Sequence, residues 1–94
     1  MKYDAVVIGS GLSGMVAAAL MAKYGRKTAL VEKHRVTAPL VRRFRCNGYW
    51  CDPGLHYTSG LEKDGPLTRM FRFLGIDGEI HSRPMDPQGF DQLI

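Results

Sequence analysis

The feature that most constrains this chain is a spaced set of glycines, Gly9-Ser10-Gly11-Leu12-Ser13-Gly14, lying between a short apolar run and a longer helix-forming one. Ala5-Val6-Val7-Ile8 precedes it, bounded by Asp4 and Gly9. A short unbroken run of small and β-branched apolar residues reads as a strand buried on both faces, as in parallel sheets. After the glycines, Leu12 to Tyr24 is apolar without strict alternation, and Ala17 to Ala22 are strong helix formers. Gly25 is placed to stop that helix as the residue after its cap. Lys27-Thr28-Ala29-Leu30-Val31 then reads as a second strand, closed by Glu32. Strand, glycine turn, helix and strand within about 30 residues form a βαβ unit.

Each glycine of a GxGxxG turn in that position has a physical task. Gly9 permits the tight turn, Gly11 lets a pyrophosphate approach the backbone, and Gly14 lets helix and strand pack closely. Ala18, one turn on, continues that close contact. The helix opens at Leu12, where the free N–H groups of its first turn and its dipole favour phosphate. The hydroxyls of Ser10 and Ser13 are expected to add donors there. Glu32 lies 18 residues after Gly14, where a carboxylate can accept hydrogen bonds from a ribose 2′-OH and would repel a 2′-phosphate. A glycine turn in an α/β protein that binds no nucleotide is the competing reading. The strand before, the helix after and the acid in place favour the dinucleotide.

The segment after the second strand separates FAD from NAD. An NAD domain would continue into another helix and a third parallel strand. Here Arg43-Phe44-Arg45-Cys46 and Tyr49-Trp50-Cys51 flank Asn47-Gly48, a strong hairpin signal, with Asp52-Pro53-Gly54 closing it. That continuation favours FAD. Asp64-Gly65-Pro66 then opens a helix with proline in its first turn. Leu67, Met70, Phe71 and Leu74 give it one apolar face, and Gly75 ends it. The tail, 79–85 and 90–94 around Asp86-Pro87-Gln88-Gly89, reads as a second hairpin on a type I turn. The expected fold class is therefore α/β: a Rossmann-like βαβ dinucleotide-binding unit followed by β-hairpins and a short helix, an incomplete FAD/NAD(P)-binding fold.

Charge and cysteine content narrow the partners. The formal net charge is +4, with Arg42, Arg43 and Arg45 close together. A single aromatic, Phe44, lies among these arginines, too little for a stacking platform, so no nucleic-acid partner is expected and a solvated face is the simpler reading. Along a strand, Arg43 and Arg45 share a face that Arg42 does not. Cys46 and Cys51 supply neither a disulfide framework nor a set of zinc ligands, and no metal site is expected. Reduced thiols and the lack of a signal-peptide core point to a cytoplasmic chain. No run approaches the roughly 18 apolar residues that a bilayer span needs.

With these residues in place, the chain resembles the N-terminus of the FAD-dependent oxidoreductases of the phytoene desaturase, carotenoid isomerase and retinol saturase-like family. The resemblance rests on Tyr3 to Gly14, on Val31-Glu32-Lys33-His34, and on Gly48-Tyr49 with Asp52-Pro53-Gly54-Leu55-His56-Tyr57. It is looser at Asp86-Pro87-Gln88-Gly89-Phe90-Asp91. It implies bound FAD and desaturation, saturation or isomerisation of a hydrophobic, often polyene, substrate. It also implies a much longer polypeptide, of which residues 1–94 are the N-terminal part of the FAD-binding domain. The rest of that domain and the substrate domain would then be further partners within the same polypeptide, and this stretch alone would be inactive. One departure stands out: Thr37-Ala38-Pro39 occupies the place of the family's Gly-Gly doublet. Ala38 is costlier than glycine at positive φ, and Pro39 has no N–H to donate.

The remaining candidates follow from that resemblance. Gly54 is expected close to the flavin, where a glycine backbone approaches nearest, with His56 beside it. Lys33 and His34 would edge the adenosine next to Glu32, or simply face solvent. No catalytic acid, base or nucleophile is evident. Lipophilic substrates leave peripheral membrane contact open, and an apolar face at 67–74 leaves self-association open. The alternative to an oxidoreductase segment is a small non-catalytic Rossmann module that binds NAD(H) or another adenine nucleotide.

Overall fold

The computed structural model describes residues 1–38, 41–53, 56–91 and 93. It divides into two compact units, Met1–Thr58 and Ser59–Ile94. The first contains strand β1 (Ala5–Ile8), helix α1 (Leu12–Lys23) and strand β2 (Thr28–Val31), followed by strands β3 (Phe44–Cys46) and β4 (Tyr49–Cys51). The second contains helix α2 (Pro66–Leu74) and a 3-10 turn at Asp77–Glu79.

Strands β1 and β2 pair in parallel with Ala5 opposite Thr28 and Ile8 opposite Val31. The register is pinned at both ends. Asp4 accepts the Lys27 N–H on its side chain at 2.7 Å while its own N–H donates to the Lys27 carbonyl at 2.8 Å. At the other end the Gly9 N–H donates to the Val31 carbonyl at 2.7 Å. Helix α1 follows at once, and Gly25, at φ 76°, ends it through an N–H bond to the Ala22 carbonyl.

The expectation that β1 is buried on both faces is corrected. Val7 lies under Gly14 of α1, but its neighbours Val6 and Ile8 point the other way and are 58% and 87% exposed. Val31, paired with Ile8, is 49% exposed on the same face. Within the first unit, among the described residues, helix α1 covers one face of the two-stranded sheet and leaves the other open. Among the described residues no hydrophobic side chain is fully buried, and Ser10, at 0% exposure, is the one buried polar side chain.

Strands β3 and β4 form the antiparallel hairpin read from Asn47-Gly48, with Arg45 opposite Trp50 and Cys46 opposite Tyr49. Both central residues take positive φ, 49° and 86°, as a two-residue type I′ turn requires. Cation–π contacts set the Arg43 and Arg45 guanidinium groups 4.6 and 5.6 Å from the Trp50 ring centroid. Cys46 and Cys51 are free thiols.

In the second unit, Pro66 is the first residue of α2 and Gly75, at φ 77°, its C-cap, both as read from the sequence. Leu67, Phe71 and Leu74 are half-buried, while Met70 is exposed. Arg72 bridges Asp64 at 3.2 Å and Asp77 at 3.9 Å on the surface.

The second hairpin is also corrected. Asp86 does make its turn, accepting the Gly89 N–H on its carbonyl and the Gln88 N–H on its side chain. Yet among the described residues neither flank is a strand, and Glu79 belongs to the 3-10 turn. A turn is closed by local bonds, whereas a ladder needs matched donors on both arms; Pro84, in the first arm, has none to give. Among the described residues, no helix is long and apolar enough to cross a membrane.

Candidate functional site: a glycine notch and a pinned carboxylate

The three motif glycines have different physical reasons to be glycine. Gly9 sits at φ 98°, which side chains rarely adopt. At Gly14 a Cβ would collide with the Gly9 carbonyl oxygen and come within 3.2 Å of its carbonyl carbon. Gly11 is unlike both: its φ is −67°, open to any residue, and a Cβ there would meet no atom within 4 Å. Among the described residues nothing requires glycine at 11.

The space above it is an open notch of about 390 Å³ lined by Ile8, Gly9, Gly11, Leu12, Ser13, Gly14, Ala38 and Val41. Gly11 is the N-cap of α1, with no side-chain cap and no acidic residue in the first turn. The first-turn N–H groups of a helix have no intrahelical partners, and here, among the described residues, no side chain caps them. A groove floored by bare glycine backbone, with a helix N-terminus aimed into it, suits a phosphate group. The residues present therefore fit a dinucleotide pyrophosphate.

Glu32 stands beside this notch because of the strand register. With Ile8 level with Val31, the next residues, Gly9 and Glu32, are also level, and Ser10 follows. Oε2 of Glu32 accepts the Ser10 N–H at 2.7 Å and the Ser10 hydroxyl at 2.8 Å. Oε1 accepts the His34 N–H at 2.9 Å. These donors hold the carboxyl at about 2, below its ordinary 4.5: the His34 N–H contributes most, then the Ser10 N–H and hydroxyl, against a small opposing effect of burial. Each bond favours the ionised form.

Ser10 was expected to offer its hydroxyl to phosphate, and this is corrected. Its side chain is fully buried, and both its N–H and its O–H are used by Glu32. The Ala38 N–H donates back to the Ser10 carbonyl and hydroxyl oxygens, each at 3.1 Å. One residue thus ties the glycine turn to the end of β2 and to the loop beyond it. Ala38 itself takes positive φ, 51°, so its N–H turns to Ser10, and its carbonyl accepts the N–H groups of Val41 and Arg42. Ala38 and Val41 are notch residues that the sequence reading did not single out as lining. Positive φ at a non-glycine residue shows only in the backbone, although the missing glycine doublet marked the spot.

The other candidates are dispersed. Leu12 and Ser13 line the notch. Lys33 and His34 are exposed beyond Glu32, and His34 meets the acid through its backbone. His56 is exposed, and Gly54 lies outside the described residues.

Comparison with known proteins agrees with this geometry. Residues 7–74 match the family described as NAD(P)-binding Rossmann-like domain. The chain is 36% identical to the all-trans-retinol 13,14-reductase of Rattus norvegicus over 93 residues, covering 99% of this chain and 15% of that protein. It is 39% identical to the all-trans-retinol 13,14-reductase of Danio rerio over 91 residues, or 97% of this chain and 15% of that protein. It is 32% identical to the chloroplastic prolycopene isomerase of Daucus carota over 77 residues, or 82% and 12%. The chain therefore spans about one-seventh of the retinol reductases it matches. No solved structure gives a significant match. The glycine turn, the acid at the end of β2 and the matched stretch from 7 to 74 agree on one conclusion: the chain belongs to the NAD(P)-binding Rossmann-like domain family, and is related within it to retinol 13,14-reductases and prolycopene isomerases.

Proposed function

We propose that the chain is the N-terminal part of an FAD-binding domain, in an oxidoreductase whose substrate is a hydrophobic polyene. The observation that carries FAD over NAD is the path after β2: a loop and the antiparallel hairpin β3–β4, in place of a helix and a third parallel strand. Gly9, Gly11, Leu12, Ser13 and Gly14 would hold the pyrophosphate and Glu32 the adenosine ribose, with Lys33 and His34 at its edge. Gly54 and His56 would lie toward the flavin. FAD, when bound, supplies the hydride chemistry, and the protein supplies position and electrostatics. The residues of this chain bind and orient; none is assigned as acid or base.

The substrate class rests on the relatives, which are named for all-trans-retinol and prolycopene. The open face of Val6, Ile8 and Val31 supports a partner layer supplied by further polypeptide, since an exposed apolar sheet face is costly in water. On this reading residues 1–94 alone do not turn over substrate, and the exposed face favours self-association when they are isolated. The complete protein would be cytoplasmic and meet a bilayer surface to collect its lipophilic substrate.

A second reading, a non-catalytic module for NAD(H) or another adenine nucleotide, is favoured by the family description, which names NAD(P). Release and identification of the bound chromophore from the full-length protein separates the two: FAD supports the first, and a colourless protein that titrates with NAD supports the second.

A further inference from the structure

An ionised carboxylate offers about four lone-pair positions, two on each oxygen. At Glu32 three are taken by the chain itself: the Ser10 N–H and O–H on Oε2, and the His34 N–H on Oε1. The two bonds to Oε2 are the short ones, 2.7 and 2.8 Å, and come from a residue with 0% exposure. Oε2 is thereby saturated and turned inward. Among the described residues no further donor reaches Glu32, so one position remains for a ligand, on Oε1. A carboxylate with four free positions can grip two adjacent ribose hydroxyls, one with each oxygen; this one has a single free position.

We propose that Ser10 is a positioning residue for nucleotide recognition: by occupying Oε2 of Glu32 with both its N–H and its O–H, it leaves Oε1 to read one ribose hydroxyl, so the site discriminates between the 2′ and 3′ positions. The inference rests on the reading that Glu32 faces the adenosine ribose. The hydroxyl suits the task because it has one proton and can accept as well. It donates the proton to Glu32 and accepts the Ala38 N–H, so it cannot turn away without breaking both bonds. The same two bonds join the ribose-reading acid to Ala38, which lines the phosphate notch. Loosening Ser10 therefore loosens the grip on ribose and one wall of the notch together.

The test is displacement of FAD from the full-length protein by ADP, 2′-deoxy-ADP and 3′-deoxy-ADP, read by the recovery of flavin fluorescence. One deoxy analogue should bind about tenfold or more weakly than ADP and the other within about threefold, since one hydrogen bond to a charged group is lost in only one case. In Ser10→Ala the carboxylate keeps its two backbone N–H donors but loses the hydroxyl, which frees a position on Oε2, so ADP binding should weaken several-fold and the contrast between the two analogues should shrink. Equal losses for both analogues in the wild-type protein would overturn the inference while leaving the dinucleotide site in place, and so would a contrast that Ser10→Ala leaves intact. Should Ser10→Ala not fold, Ser10→Cys, close in size but a weaker donor, takes its place with the same expected loss of contrast. If neither FAD nor ADP binds the wild-type protein, the proposed function fails and this inference with it.

Discussion

Ser10 and Glu32, 22 residues apart, share one oxygen: Oε2 of the glutamate accepts both the backbone N–H and the hydroxyl of the serine. The pair locks the glycine turn to the end of β2 and, with the His34 N–H, orients the acid beside the notch and keeps it ionised. Removing the acid therefore has two separable effects. Glu32→Ala leaves two buried Ser10 donors without a partner, which costs about 1–3 kcal/mol per unsatisfied group and lowers the thermal midpoint of the apoprotein. It also removes the proposed ribose acceptor, so FAD affinity should fall about tenfold or more, measured by flavin titration.

The acid limb of stability follows from the His34 N–H, the largest contributor, together with the two Ser10 bonds. Glu32 titrates at about 2 in the folded chain against an ordinary 4.5. Between those values the unfolded chain binds the extra proton, so stability rises with pH there. The contribution is complete above about 4.5 and is lost as pH falls toward about 2. Denaturation of wild type and Glu32→Gln across this window should show their difference shrinking as pH falls, with no trend above it. A difference that stays constant down to pH 2 would contradict the assignment.

Gly11 and Gly14 should separate binding from folding. Gly14→Ala places a methyl group against the Gly9 carbonyl and should destabilise by about 1–3 kcal/mol, the usual cost of overpacking. Gly11→Ala meets no atom of the described residues and should leave stability within about 1 kcal/mol. Its methyl group would instead stand in the notch, so dinucleotide affinity should fall although the fold survives. Parallel denaturation and titration experiments check both.

Ala38 is the strained residue of the loop, at φ 51°. Left-handed backbone costs a non-glycine residue about 1–2 kcal/mol, offset in part by the extra entropy that glycine gives the unfolded chain. Ala38→Gly should therefore stabilise by up to about 1 kcal/mol in chemical denaturation.

Trp50 is the one tryptophan of the chain and sits against Arg43 and Arg45. Arg43→Ala should shift its emission and weaken the hairpin by about 0.5–1 kcal/mol, the value of an exposed cation–π contact. Unchanged emission would place the ring elsewhere.

What was legible in the sequence was whatever short-range chemistry decides. Gly25, Asn47-Gly48, Pro66 and Gly75 mark their elements because positive φ and a missing N–H are local demands. The glycine turn and Glu32 could be placed because a βαβ unit brings the ends of its two strands together whatever the rest does. What was not legible depends on distant partners. The turn at Asp86 could be read, but strands on either side of it could not be inferred from a turn. The open side of β1 could not be foreseen from an apolar run that fits either one or two covering layers. Ser10 was assigned to phosphate because a hydroxyl beside a glycine turn suits that task equally well. Counting the register forward from Ile8 and Val31 would have placed it beside the acid. The Arg43–Trp50–Arg45 contact had a signal too, since a two-residue turn after Cys46 sets Trp50 opposite Arg45.

The central claim is that the glycine notch and Glu32 hold the adenosine diphosphate half of FAD. The most direct measurement is the absorbance spectrum of the purified full-length protein, followed by denaturation and identification of whatever chromophore is released. A flavin spectrum resolving to FAD, lost when Gly11→Ala is introduced, is the expected result. A colourless protein that binds NAD and not FAD would contradict it.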